Sequence, residues 1–72
     1  MNELEFRAHI TKLVKDTIGK SSISFAGGSL FISHVSQDKA ILVNKALIKD
    51  LGDGTVQMHC IVPGGQYVFD FV

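Results

Sequence analysis

The sequence predicts an α+β domain with the element order α-β-β-α-β-β. Two stretches repeat apolar residues at helical spacing, and four shorter stretches are rich in β-branched and aromatic residues and separated by glycines. The simplest arrangement is one four-stranded antiparallel sheet with both helices on one face. The 72 residues form a single small domain, 1–72, because so short a chain has room for only one core.

The second helix is predicted over residues 36–52, SQDKAILVNKALIKDLG. Ser36 suits the N-cap, Asp38 puts negative charge in the first turn, and Gly52 stands where helices favour a left-handed residue. The apolar stripe that we expect to face the sheet consists of Ala40, Val43, Leu47 and Leu51.

One alternative stays open for this region. AILVNKALI, residues 40–48, also alternates like a strand, which would give one N-terminal helix plus a five-stranded meander. We favour the helix, because Ala, Lys, Asp and Leu in the following KALIKDL prefer helix to sheet.

The first helix is predicted over residues 2–18, with Asn2 as its N-cap. Its apolar stripe consists of Phe6, Ile10, Leu13, Val14 and Thr17. The strands are predicted over residues 22–26, 30–35, 55–62 and 66–72. The last of them is apolar on both faces, which predicts a central strand or an edge that pairs with another chain.

Composition narrows the class of protein. Seven basic and seven acidic residues cancel, so the chain lacks the overall charge bias of a nucleic-acid binder. Six of the seven basic residues are Lys, a skew that suits an AT-rich genome such as that of a phage or a low-GC bacterium. The lone Cys60, a charged N-terminal stretch unlike a signal peptide, and the lack of a membrane-length apolar run predict a cytoplasmic protein.

The residues that most often carry chemistry form no recognisable site. His34 and His59 lie on different predicted strands, and His59 and Cys60 are adjacent, so their side chains point to opposite faces of a sheet. The glycine pairs at 27–28 and 64–65 lack the Lys-Ser/Thr that follows a phosphate-binding loop. We therefore predict a protein that is not an enzyme, with no catalytic residues, no metal and no cofactor. An enzyme would need a pocket gathering His34, His59 or Asp70.

Several apolar or polar residues stand where a partner protein could contact them. Asn44 falls inside the apolar arc of the second helix. We expect it to bond to a strand end or to lie at the wet edge of the interface; the alternative is a specificity determinant in a dimer. Leu42 lies among lysines on the predicted solvent side. The last strand adds Tyr67, Val68, Phe69 and Phe71.

Two helices cover one face of a four-stranded sheet, so the other face is left to water or to a partner. If Ile23, Phe25, Val56, Met58, Val68 and Val72 pack beneath the helices, the aromatics of the last strand emerge on the far side. If the aromatics pack inward, Val68 and Val72 lie outside around Asp70. In both cases an apolar patch remains on or beside the last strand, and we predict a protein contact there.

The expected function is that of a small protein-interaction domain, acting as a homodimer or as an inhibitor or adaptor of another protein. A phage-encoded role in host takeover is one version of it. The pentapeptide VNKAL, residues 43–47, in a helix followed by a strand resembles a segment of the small antitoxins of T-even phages, and no residue role is carried over from it. The alternative is a small nucleic-acid-binding protein that uses a basic strip of Arg7, Lys12, Lys15 and Lys20.

Overall fold

The computed structural model describes residues 2–72 and has the predicted order of two helices and four strands. The elements are α1 (Glu3–Ile18), β1 (Ser22–Ala26), β2 (Ser29–Ser33), α2 (Gln37–Leu51), β3 (Val56–Val62) and β4 (Gln66–Phe71). The strands form one antiparallel sheet. The prediction of a helix over the second stretch is thus confirmed, and the alternative five-stranded meander is wrong.

Both helices begin and end at the residues that the sequence indicates. The side chain of Asn2 accepts a hydrogen bond from the Glu5 amide at 2.8 Å, and that of Ser36 accepts one from the Lys39 amide at 3.3 Å. Gly52 follows α2 with φ at 108°, a backbone conformation that residues other than glycine rarely adopt. Each cap satisfies a backbone group that the helix itself leaves unpaired.

The strand order in the sheet is β1-β2-β4-β3, so β4 is central and lies between β2 and β3. This confirms the first of the two positions predicted for the last strand. Strands β1 and β3 are the edges of the sheet. β3 carries an irregularity between Cys60 and Val62, where one residue interrupts the pairing with β4.

The core lies between the helices and one face of the sheet. The register pairs Ile32 with Tyr67, Leu30 with Phe69 and Val56 with Phe71, which puts the β4 aromatics on the helix side. The buried apolar residues are Ile10, Val14, Leu30, Ile32, Val35, Ala40, Val43, Leu47, Val56, Tyr67 and Phe69. Of the two arrangements expected for the sheet, the one with inward aromatics is observed.

Side-chain contacts hold both helices on this face. The Phe6 ring of α1 packs edge-on against Phe71, with centroids 5.1 Å apart, and the Arg7 guanidinium lies 5.4 Å from the centroid of Phe25 in β1. Between the helices, Nε2 of His9 lies 2.6 Å from a carboxylate oxygen of Asp50. Among residues 2–72, neither helix is long and apolar enough to cross a membrane.

The structure corrects the prediction for the end of β2. The sequence predicts a strand through Val35, with Val35 on the same face as Phe31. Instead β2 ends at Ser33, because His34 adopts a left-handed backbone conformation with φ at 60° and turns the chain. Val35 then enters the core at 3% exposure, and its amide donates to the carbonyl of Gly65 at 3.2 Å.

The sheet's two faces should differ in their sensitivity to truncation. Phe69→Ala removes a fully buried ring and should lower the free energy of unfolding by about 3–5 kcal/mol, most of the margin of so small a domain. Phe31→Ala is the matched control, since it removes the same ring from an adjacent strand but from the uncovered side, and should cost clearly less. Urea unfolding measures both, and equal losses would contradict the assignment of the faces.

Candidate functional site

The candidate site is the side of the sheet that faces away from the helices, which we call the open face. No element of residues 2–72 packs over it. It carries Ser22, Ser24, Ala26, Ser29, Phe31, Ser33, Gln57, His59, Val62, Gln66, Val68 and Asp70, which alternate with the helix-side residues except at the irregularity before Val62.

An apolar pair forms the centre of the open face. Phe31 of β2 and Val68 of β4 are directly paired, and the same row ends in Ser24 on one edge strand and His59 on the other. Both central side chains are half-buried, because only neighbouring strands surround them. A central apolar pair inside a polar surround is the anatomy of a small protein-contact surface.

Asp70 is the centre of a polar network beside this pair. Its Oδ1 accepts a short hydrogen bond from Oγ of Ser29 on β2, and its Oδ2 lies 3.2 Å from Nε2 of His59 on β3. The three side chains join three strands on the side that no helix covers. They fix the carboxylate in place on the open face.

The same three residue types make a Ser-His-Asp triad in some enzymes, but their order here differs from that of a triad. In a Ser-His-Asp triad the imidazole lies between the hydroxyl and the carboxylate and removes the hydroxyl proton. Here the carboxylate of Asp70 lies between Ser29 and His59, so the hydroxyl donates to the carboxylate and not to the imidazole. The arrangement orients Asp70, and Ser29 lacks the imidazole partner that a triad supplies.

The strand order also determines where the other candidate reagents lie. His34 follows β2 and His59 is on β3, so β4 separates them and they do not become neighbours. His59 pairs with Val68 and Cys60 with Tyr67, which puts these two side chains on opposite faces as expected. Among residues 2–72, no group of three or more His, Cys, Asp or Glu side chains is arranged to hold a metal ion.

A shallow depression of about 260 Å³ lies at the corner of the sheet where β2 ends. Ser33, His34, Val62, Gly65 and Gln66 line it. Within this lining, the side-chain amide of Gln66 donates a long hydrogen bond through Nε2 to the hydroxyl of Ser33, at 3.4 Å. The depression therefore presents polar groups that are already partly paired with one another.

The predicted contact residues of the last strand separate between the two faces. Val68 lies on the open face, whereas Tyr67 and Phe69 are 1% and 0% exposed in the core. The Tyr67 hydroxyl accepts a hydrogen bond from the Gly64 amide at 2.9 Å, and Phe71 packs against Phe6. Tyr67 and Phe69 therefore have no surface left for a partner, whereas Val68 and Phe71 are half-buried, Val68 on the open face and Phe71 on the helix side.

The two predicted contact residues of α2 have different surroundings. Leu42 is 50% exposed on the side of the helix away from the sheet. Asn44 is half-buried, and within residues 2–72 its Oδ1 is buried without a hydrogen-bond partner. Oδ1 therefore does not make the expected hydrogen bond to a strand end, while the half-buried position agrees with the other expectation, a place at the edge of the interface.

The basic residues of the nucleic-acid alternative lie apart from the open face. Arg7 pairs with Glu3 at 2.8 Å and covers Phe25, while Lys12, Lys15 and Lys20 are exposed on or after α1. The open face itself carries no Lys or Arg, and Phe31 is its one aromatic residue. Stacking platforms for bases combine both features on one surface.

Sequence reasoning missed the network around Asp70 and the role of Phe31 as the partner of Val68. Both depend on β4 inserting between β2 and β3, which adjacency along the chain does not indicate. Comparison with protein-family models, curated proteins and solved structures finds no match to this chain.

The left-handed backbone conformation of His34 should affect the stability of the domain. His34→Gly should leave the protein equally stable or up to about 1 kcal/mol more stable, because relief of steric strain outweighs the added freedom of the unfolded chain. Ser33→Gly is the neighbouring control, at a strand position where glycine should cost about 0.5–1 kcal/mol. Thermal unfolding compares the two. A clear loss in His34→Gly would mean that the imidazole makes a stabilising contact beside the depression.

Proposed function

We propose that this protein is a small, non-enzymatic interaction domain that binds another protein through its open face. The observation that carries the proposal is the uncovered central pair of Phe31 and Val68, surrounded by serines, glutamines and the fixed carboxylate of Asp70. A partner that buries this pair removes apolar surface from water, at roughly 25 cal/mol per Å².

The polar surround would give the contact its specificity. Ser29 and His59 hold the Asp70 carboxylate in position before a partner arrives, so little side-chain entropy is lost when the carboxylate accepts a hydrogen bond across the interface. The matching partner surface carries an apolar side chain at its centre and a hydrogen-bond donor beside it. A cationic donor is favoured, because the open face has a carboxylate and no Lys or Arg.

The size of the open face limits its affinity. Five residues of strand by four strands cover roughly 17 by 19 Å, on the order of 300 Å², against about 800 Å² per partner in a standard interface. A single open face therefore supports a weak or transient contact unless a second surface adds to it. Such a contact suits an inhibitor or adaptor that covers a functional patch of its target.

The setting we propose is the cytoplasm, where the exposed Cys60 stays a thiol. The lysine-rich basic complement supports a phage or low-GC bacterial source, and with it a host-takeover or antitoxin-like role. No contact of the described residues favours the nucleic-acid alternative over protein binding.

The proposal predicts that Val68→Lys abolishes partner binding while the domain stays folded. The change puts a charge at the centre of the apolar pair, and the half-exposed site leaves its ammonium access to water. Binding is measured by capture from a cytoplasmic extract with immobilised wild-type and variant protein, and folding by circular dichroism. Ser24→Lys, in the same row but at the sheet edge and exposed, adds the same charge and should retain binding.

A protein captured by wild type and Ser24→Lys but lost by Val68→Lys supports the proposal. Capture that survives Val68→Lys would show that binding takes place elsewhere on the domain. If the wild-type protein captures no partner from the extract, does not self-associate and binds no purified target, the proposal is wrong.

A further inference from the structure

We propose that the β3 edge of the sheet pairs with the β3 edge of a second copy of this chain, in an antiparallel and symmetric way. The contact surface, which we call the β3 flank, consists of the outer side of β3 and the adjoining side of α2. It is separate from the open face, so the proposal does not depend on what the open face binds.

β3 is an exposed edge strand of the sheet. β3 is the longest strand of the sheet, and its outward backbone groups face no other strand of residues 2–72. Natural edges are usually protected by lysine, proline or inward charges. β3, VQMHCIV, has no lysine, proline or inward charge; its one protective feature is the irregularity after Cys60, which leaves Val56–Cys60 regular, and its Ile61 and Val62 are 47% and 51% exposed.

An apolar side of α2 adjoins this edge. Asp50 contacts His9 of α1, so the opposite side of the helix, with Ile41, Asn44 and Ile48, lies away from α1 and over β3. All three residues are half-buried and uncharged. Cys60 pairs with the buried Tyr67 on this same side of the sheet, yet it is exposed, so α2 does not cover the flank fully.

A second copy of β3 suits this edge as its binding partner. An antiparallel strand is complementary to its own copy across a two-fold axis, so a second β3 can pair with the regular stretch Val56–Cys60 through about four to six hydrogen bonds without a special sequence. Like charges would oppose such pairing, but β3 carries no Lys, Arg, Asp or Glu, and the chain has zero formal net charge. The other edge, β1, is only five residues long and exposes small residues, Ser22, Ser24 and Ala26.

The area of the flank sets the strength of the dimer. Seven residues of strand extend about 23 Å, and a sheet layer with its helix layer is roughly 15–20 Å high, which gives on the order of 400 Å² per copy. The total of about 800 Å² lies below the range of stable interfaces. We therefore expect a dimer that dissociates in the micromolar to millimolar range.

Edge-to-edge pairing has a geometric consequence for the open face. The two-fold axis of an antiparallel pair stands perpendicular to the sheet, so both copies keep their helices on the same side. The two open faces then join into one surface of eight strands. Their combined footprint is on the order of 600 Å², which approaches the share of one partner in a standard interface.

The test uses the purified chain over a concentration series from about 10 μM to about 1 mM, by sedimentation and by amide hydrogen exchange. We expect the average mass to approach twice the monomer mass, and the outward amides of β3 to become protected as concentration rises. Ile61→Lys adds a charge to the exposed edge and should keep the protein monomeric over the whole range. Ala26→Lys on the β1 edge and Val68→Lys on the open face are the matched controls and should leave dimerisation unchanged.

A chain that stays monomeric at the highest concentration would overturn the proposal. Association that Ile61→Lys leaves intact, or that protects β1 amides instead of β3 amides, would also overturn it. Association lost in Val68→Lys but kept in Ile61→Lys would move self-association to the open face, which refutes the β3 flank and leaves the proposed function standing.

Discussion

The position of β4 in the middle of the sheet is the constraint on which the rest of the structure depends. Its alternation puts Tyr67 and Phe69 into the core and Val68 and Asp70 on the open face. A slip of one residue in its pairing would exchange these two sets, exposing two large rings and burying a carboxylate. Because two neighbouring strands hold β4, its register also determines the surfaces on both sides of the sheet.

The two sides of the sheet are held together by different interactions. On the helix side, burial of apolar side chains from α1, α2 and all four strands supplies the stabilisation. On the open face, the side chains of Ser29, Asp70 and His59 connect three strands where no core exists. A partly exposed network of this kind contributes little to stability. Its main effect is to define a fixed polar surface next to an apolar pair.

Much of the fold could be predicted from local signals, because helix caps, glycine turns and apolar periodicity act over a few residues. Asn2, Ser36 and Gly52 mark helix ends that the structure reproduces. The end of β2 was missed because His34 takes a backbone conformation that its residue type does not require. For the candidate site, the sequence predicted an apolar patch on or beside the last strand, which includes Val68. It did not predict that Phe31 pairs with Val68, because that pairing depends on the strand order, which is a non-local property.

The order β1-β2-β4-β3 also governs when this chain becomes able to fold. During synthesis, β2 and β3 emerge before the strand that must lie between them, and neither has its full set of backbone partners until β4 is complete. Until then the first hairpin lacks its neighbour in the sheet, and a two-stranded hairpin is marginally stable by itself. The complete sheet therefore cannot form before β4 is available, and an interrupted chain that ends before β4 exposes unpaired strands to proteases.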